Sequence, residues 1–337
     1  MTFRNILVVR ADRMGDVVLT VPAIRALKKA FPAARVSVWL DASTRPLLQG
    51  LPFIDEILCE DKTRGWPGYF SFIQTLRRKQ FDLAVVFHTK RHTNAACALA
   101  GIPQRLGYRN NKNGWLLTRP VEDRRHFGEK HEVEYCLDLL QGVGVRANDL
   151  SLELARDPAA DAWARDFVAK ELAGEPFLAI HADASCDTRL WPASSYARLI
   201  DSLKGRGLKI VLVGRREAGD CARDICRQVA YPVVDMTAKT SLGQLVSLFR
   251  LARAVISNDS GPVHVAAAAG APTVSIFLRR QPGINPERWR PLGPNTRIVL
   301  PPSGQEVRVD RHSRVISGAF DAITPEKVLA ALNEILA

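Results

Sequence analysis

The sequence predicts an α/β protein built from two doubly wound domains in tandem, and three observations carry that prediction. Short apolar, β-branched runs alternate with longer helical patterns. The runs are continuous and not alternating, as expected of parallel strands buried on both faces. The alternation also stops once, in a charged, Ala-rich stretch from about Asp157 to Lys170, and then begins again. A length of 337 residues suits this reading, at about 150 residues per domain.

In chain order, Asn5 to Val9 (NILVV) is a strand, and the next helix begins by Val21-Pro22 and runs over Ala23 to Phe31. Val36 to Leu40 and Leu83 to Phe87 are further strands, with a helix at Ala95 to Ala100. The Ala-rich stretch ends at Gly174-Glu175-Pro176, which places the boundary between Ser151 and Glu175 and gives a first domain over 1–160 and a second over 175–320. Strands follow at Phe177 to His181, Lys209 to Val213, Ala254 to Ser257 and Thr273 to Phe277. Helices separate them near Ser195 to Lys204, Ala218 to Gln228 and Leu242 to Leu251. A last amphipathic helix over 324–337 starts at Thr324 as N-cap with Pro325 at its first position, and Val328, Leu329, Leu332 and Ile335 share one face.

Composition narrows the function. The chain is 47% hydrophobic and 24% charged, an ordinary globular mix, and its formal charge of +12 points to an anionic partner. The N-terminus MTFRNILVVRADRMGD lacks the uninterrupted apolar segment of a secretory signal, so a cytoplasmic chain is expected. No run of about 18 uncharged apolar residues occurs, which leaves peripheral contact with a membrane but not a spanning helix. The six cysteines are scattered without a CxxC pair and read as reduced thiols, so no metal cluster is expected.

In open α/β sheets ligands gather at the carboxyl ends of strands, and four loops there are distinctive. The first, Arg10-Ala11-Asp12-Arg13-Met14-Gly15-Asp16, carries two carboxylates and a glycine that permits a tight turn or the close approach of another molecule. An Asp there either serves as a general base or caps the helix and pairs with Arg10 or Arg13. The second runs from Ala182 to Pro192 and holds Ser185, Thr188 and Arg189, which suit phosphate oxygens or an ordinary connection in which Trp191-Pro192 packs on the sheet. In the third, Asn258-Asp259-Ser260-Gly261-Pro262-Val263-His264, Pro262 fits the first helical position with Ser260 or Gly261 as cap. The helix end is then an anion site, and Asp259 must face sugar hydroxyls or a cation because it would repel phosphate; His264 reads first as a packed core histidine. The fourth, Val213-Gly214-Arg215-Arg216-Glu217, offers Glu217 either to ribose hydroxyls or to a solvated charge cluster.

Across nearly the whole chain these segments resemble family 9 glycosyltransferases, the ADP-heptose:lipopolysaccharide heptosyltransferases. The resemblance rests on RADRMGDVVLTVPAIRALKKAFP, FDLAVVFH followed by GIPQRLGY, Lys130-His131-Glu132, RLWP, AKTSL and above all SNDSGPVHVAAAAGAPTVSIF. It implies a GT-B fold, in which an acceptor domain and a nucleotide-sugar domain face a central cleft and the C-terminal helix returns to the first domain. It implies Asp16 as catalytic base, with Arg13 and Gly15 beside it on the acceptor side, and Arg189 facing the donor phosphates where the family usually has Lys. Ser185 and Thr188 would line the phosphate loop, Glu217 and Thr240 would contact ribose and base, and Ser260, Gly261 and His264 would hold the diphosphate, with Asp259 at the donor sugar.

The implied reaction is an inverting, metal-independent transfer of a heptose, or a related sugar, from a nucleotide-sugar donor to an anionic lipid-linked acceptor on the cytoplasmic face of the inner membrane. No cofactor is expected. Basic residues such as Arg91, Arg105, Arg109, Lys112 and Arg119 would meet the acceptor's charge. Two departures fall on the donor side: Leu278-Arg279-Arg280-Gln281-Pro282 follows the last strand where the family has Gly and a small hydroxyl residue, and Val307 to Ile316 lacks the family's cysteines. The rival readings are a transferase using another nucleotide sugar, an epimerase of the same architecture, against which the Asp16 loop speaks, and a nucleic-acid-binding protein. The basic clusters lack interleaved aromatics, which speaks against nucleic acid.

Overall fold

The structure is a computed structural model and describes residues 2–110, 114–184, 186–215, 219–310 and 312–337. The chain divides into two compact units, Met1–Ala155 and Arg156–Ala337.

In the first unit, β1 (Asn5–Arg10) lies between β2 (Arg35–Leu40) and β4 (Leu83–Val86). With β3 (Glu56–Cys59), β5 (Gln104–Arg109) and β6 (Arg119–Glu122) they form a parallel sheet in the order β3-β2-β1-β4-β5-β6. Ile6, Leu7, Val8 and Val9 have no exposed surface, as the continuous apolar run requires. The helices are α1 (Met14–Ala30), α2 (Gly65–Arg78), α3 (Arg91–Leu99) and α4 (Glu132–Leu139). Helix α1 starts at Met14, well ahead of the expected Val21-Pro22, and carries Pro22 inside it. Pro22 gives up one backbone hydrogen bond there, and the buried residues of the segment Val17 to Leu27, all but Arg25, outweigh that loss.

The second unit opens with α5 (Pro158–Glu171), which packs on α8 (Leu242–Leu251) and is fixed by the Ser247 hydroxyl donating to Asp161 at 2.6 Å. The Ala-rich stretch is therefore part of the second unit, which begins at Arg156. Strands β7 (Phe177–His181), β8 (Lys209–Leu212), β9 (Val233–Asp235), β10 (Ala254–Asn258), β11 (Thr273–Ile276) and β12 (Thr296–Val299) form a second parallel sheet, ordered β12-β11-β10-β7-β8-β9. Its further helices include α6 (Ala193–Asp201), α7 (Gly219–Gln228), α9 (Gly261–Ala268) and α10 (Pro286–Trp289), and a small ribbon pairs β13 (Arg308–Val309) with β14 (Val315–Ser317).

The last helix, α11 (Pro325–Leu336), packs on α6 and on β10, β11 and β12 of its own unit, burying Val328 and Leu332. The apolar face read from the sequence packs against the second unit's own core. Thr324 is its N-cap residue but makes no side-chain capping bond.

The strand order reverses between β1 and β4 in one sheet and between β10 and β7 in the other. A crevice forms where neighbouring strands send their connections to opposite sides, so the carboxyl ends of these four strands are where each unit should hold a ligand.

Candidate active site

At the first switch point, Arg10 ends β1 with its side chain 2% exposed. Its Nη2 donates to Asp16 Oδ1 at 2.6 Å and to Glu132 Oε1 at 3.2 Å, its Nη1 donates to the Phe87 carbonyl at 2.7 Å, and Nε lies 3.3 Å from Asp12 Oδ1. One guanidinium thus gathers three carboxylates. Arg125 reaches the same Phe87 carbonyl at 3.1 Å, lies 3.7 Å from Glu132 Oε1 and sits over the Tyr108 ring at 3.9 Å. Asp123 holds it from the other side through two bonds, at 2.8 and 2.7 Å.

The electrostatics follow from burial. Desolvation pushes the Asp12 carboxyl up to about 6 against the pull of Arg10, with Asp16 adding to the rise. His88, just beyond β4, is buried with neither ring nitrogen hydrogen-bonded, and desolvation followed by the charges of Arg10 and Lys90 pushes it down to about 3. A neutral imidazole is therefore part of this cluster. Beside it a cavity of about 450 Å³ is lined by Ala11, Glu60, Lys62, Trp66, Tyr69 and His92, among others. Glu60 is buried and holds the His92 ring at 2.7 Å, and that ring packs on Tyr69 with centroids 4.2 Å apart.

At the second switch point, the loop after β7 and the loop after β10 are tied together by Asn258, which has no exposed surface. Its amide donates to the Ala182 carbonyl at 3.0 Å, and its Oδ1 accepts from the Trp191 backbone N–H at 3.2 Å and the Tyr196 hydroxyl at 2.9 Å. Arg189, partly exposed, donates from Nη1 to the Asp259 carbonyl at 3.1 Å. Asp259 meets a second cation, Arg279, whose Nη2 lies 3.1 Å from Asp259 Oδ2. Ser260 is the N-cap residue of α9 without a side-chain capping bond; its hydroxyl turns inward, 3.3 Å from Ser257 Oγ and 3.4 Å from His181 Nδ1. Pro262 carries no N–H and the Val263 N–H donates to the Ser260 carbonyl at 3.1 Å, so in the first turn of α9 the Gly261 N–H and the positive helix end are what face an anion.

Glycosyltransferase family 9 (heptosyltransferase) matches residues 69–315. The chain belongs to this family. It is accordingly a glycosyltransferase, and its relatives span its whole length: lipopolysaccharide heptosyltransferase 2 of Escherichia coli K12 is 26% identical over 98% of both chains. Among solved structures, the family 9 glycosyl transferase of Veillonella parvula DSM 2008 superposes with a TM-score of 0.84 at 20% identity, over 99% of this chain and 97% of that one. The E. coli ADP-heptose lps heptosyltransferase II gives 0.78 at 24% identity, over 98% of each chain. The fold is GT-B, two doubly wound α/β units, as the resemblance implied.

In this glycosyltransferase the predicted residues divide in two sets. Asp16, Arg13 and Gly15 lie at the first switch point, but in helix and cap, not in a loop: Arg13 is the N-cap residue of α1, and Gly15 and Asp16 occupy its first turn. Gly15 thus has helical backbone, so of its two readings, a tight turn or the close approach of another molecule, the turn is absent. Neither Asp12 nor Asp16 provides a capping bond to α1; both pair with Arg10.

Thr188, Arg189, Asp259, Ser260, Gly261 and His264 all lie in the loops leaving β7 and β10 or in the first turn of α9. Gly261 takes the first helical position and Pro262 the second, and His264 is 3% exposed with its ring 6.4 Å from that of Trp289. Thr188 is buried, with its hydroxyl 2.9 Å from Cys186 Sγ. Thr240 is half-buried, one residue before the Ser241 that caps α8. Ser185, Glu217 and Lys112 lie outside the described residues.

Sequence reasoning gave no role of their own to Arg125, His88, Asn258 and Arg279. Asn258 had a readable signal, a polar residue closing the apolar strand AVISN. Glu132 was visible only as part of a motif. Two of the basic residues assigned to the acceptor are otherwise engaged: Arg105 donates to the carbonyls of Leu116 and Ile102, and Arg119 to Gln104 and the Gly142 carbonyl. Arg91 and Arg109 remain exposed.

Proposed function

We propose that this glycosyltransferase moves a heptose from a nucleoside diphosphate donor, ADP-heptose, to the lipopolysaccharide inner core, with inversion and without a metal ion. The observation that carries the reading is Asp16, a partly exposed carboxylate held by a buried arginine at the carboxyl end of β1. In the proposed step Asp16 takes the proton of the acceptor hydroxyl as its oxygen attacks the anomeric carbon. The bond to the diphosphate oxygen breaks with its electron pair, and attack on the opposite face inverts the centre. Arg189 and the N-terminus of α9 would stabilise the charge developing on the leaving diphosphate. The cavity of the first unit, with aromatic Trp66 and basic Lys62 at its wall, supports an anionic sugar as acceptor. The name of the E. coli heptosyltransferase II supports ADP-heptose as donor. Among the described residues no helix is long and apolar enough to cross a membrane, and contact with the cytoplasmic face of the inner membrane through the lipid-linked acceptor is part of the same proposal.

A screen of nucleotide sugars by thermal unfolding tests the donor. A ligand that binds only the folded chain stabilises it by RT ln(1 + [L]/Kd), about 2.7 kcal/mol at a hundredfold excess over Kd. ADP-heptose is expected to give the largest shift of unfolding temperature, and a larger one from a UDP- or GDP-sugar would replace it. Transfer is expected to continue in excess EDTA; activity lost in EDTA and regained with Mg²⁺ would reject the metal-free step.

Arg189→Ala is expected to weaken both donor binding and turnover, while Arg189→Lys recovers much of each, since one cation at the phosphates serves. Calorimetric titration with ADP reads the effect. Unchanged affinity in Arg189→Ala would remove Arg189 from the phosphate site.

A further inference from the structure

The segment after β11 puts a guanidinium against Asp259. Arg279 has a side chain 5% exposed, and its Nη2 donates to Asp259 Oδ2 at 3.1 Å. Its Nε is buried with no hydrogen-bond partner. Arg189 approaches the same residue from the loop after β7, with Nε 4.0 Å from Asp259 Oδ2. Two arginines therefore share one carboxylate. The adjacent Arg280 points elsewhere: its Nη2 donates to the Pro301 carbonyl at 3.4 Å, and its Nε lies 3.5 Å from Glu306.

The charge balance gives this arrangement a consequence. An aspartate next to the N-terminus of α9 opposes an incoming anion, and a helix end carries only about half a positive charge. If Arg189 alone faced Asp259, the two would cancel, and only that half charge would be left to attract a phosphate. A second arginine under the aspartate changes the sum. We propose that Arg279 is a positioning residue of the donor site: it neutralises Asp259 and so leaves Arg189 and the α9 N-terminus to bind the diphosphate of the donor. The inference rests on the reading of the second unit as the donor domain. Desolvation, and next the charge of Arg189, push the Arg279 guanidinium below its ordinary value; an arriving anion relieves that repulsion. Because its side chain is buried and its Nη2 donates to Asp259, Arg279 acts through that carboxylate and not on the ligand.

Calorimetric titration of ADP and AMP into the full chain tests the assignment. Arg279→Gln is expected to weaken ADP by about 10-fold to 100-fold, with a much smaller effect on AMP, since one unbalanced charge at a desolvated site acts mainly on the more highly charged ligand. Adding Asp259→Asn to Arg279→Gln removes both charges and is expected to bring ADP affinity back to within about 3-fold of the wild type. Arg280→Gln is expected to change neither ligand. Should Arg279→Gln fail to fold, Asp259→Asn alone decides: ADP binds more tightly, because both arginines are then uncompensated. Equal ADP affinity in Arg279→Gln and wild type, equal losses for ADP and AMP, a double variant as weak as the single one, or weaker ADP binding by Asp259→Asn would each overturn the role of Arg279 and leave the donor-domain reading intact. A wild-type chain that binds none of ADP, GDP and UDP overturns both.

Discussion

Asp16→Asn is expected to reduce sugar transfer by about 10²–10⁴-fold, the usual contribution of a positioned general base, with nucleotide affinity nearly unchanged. The asparagine keeps an oxygen that accepts from Arg10 Nη2, so the bond now seen at 2.6 Å has a neutral substitute and the local packing is preserved. What is lost is the ability to accept a proton. The effect should therefore fall on kcat with acceptor and donor saturating, while ADP titration gives the wild-type Kd. Asp12 is the neighbouring carboxylate that could take over, but it is more buried and shares Arg10. More than a tenth of normal transfer in Asp16→Asn would make Asp16 a structural partner of Arg10 and move the search for the base to Asp12.

The legible part of this protein was what burial writes into sequence. NILVV, LAVVF, FLAIH and TVSIF are strands because a parallel strand covered on both faces tolerates almost nothing polar, and each was readable as an apolar run. Strands with polar or half-exposed residues were not readable: Gln104–Arg109 and Arg119–Glu122 lie toward one edge of the first sheet and Val233–Asp235 forms an edge of the second. The start of α1 was missed because Gly15 and Pro22 are turn signals locally, and packing on the sheet overrides them.

Among the site residues, those in contiguous motifs were found. Residues that act across the fold were not: Arg10 meets Glu132 over 122 positions of sequence, and Asn258 meets Ala182 over 76. No spacing rule encodes such pairs. The surroundings of Asp259 were half legible, since a carboxylate beside a helix N-terminus must face a cation or hydroxyls, and the nearest cation is Arg279 from the segment after β11.

Glu132→Ala is expected to destabilise the first unit by about 3–5 kcal/mol, the cost of removing one partner from a buried ion pair and leaving the other charge behind. Glu132 is 1% exposed and is the first residue of α4, where His131 and Glu134 form a capping box that fixes its direction. Its Oε1 receives Arg10 Nη2 at 3.2 Å and stands 3.7 Å from Arg125 Nη1, so a single oxygen serves two buried guanidiniums. Asp123 still compensates Arg125 after the change, and Asp12 and Asp16 still compensate Arg10, but Asp16 lies nearer solvent than Glu132 does. Glu132→Gln keeps an acceptor oxygen in place and should lose less than the alanine variant, because only the charge and not the hydrogen bond goes. Denaturant unfolding of the two variants measures both costs, with the midpoint moving and the slope holding if the native state alone is affected. A loss under about 1 kcal/mol for Glu132→Ala would mean that the three aspartates compensate both arginines unaided, and that the carboxylate at the start of α4 is not what holds Arg10 against Asp16.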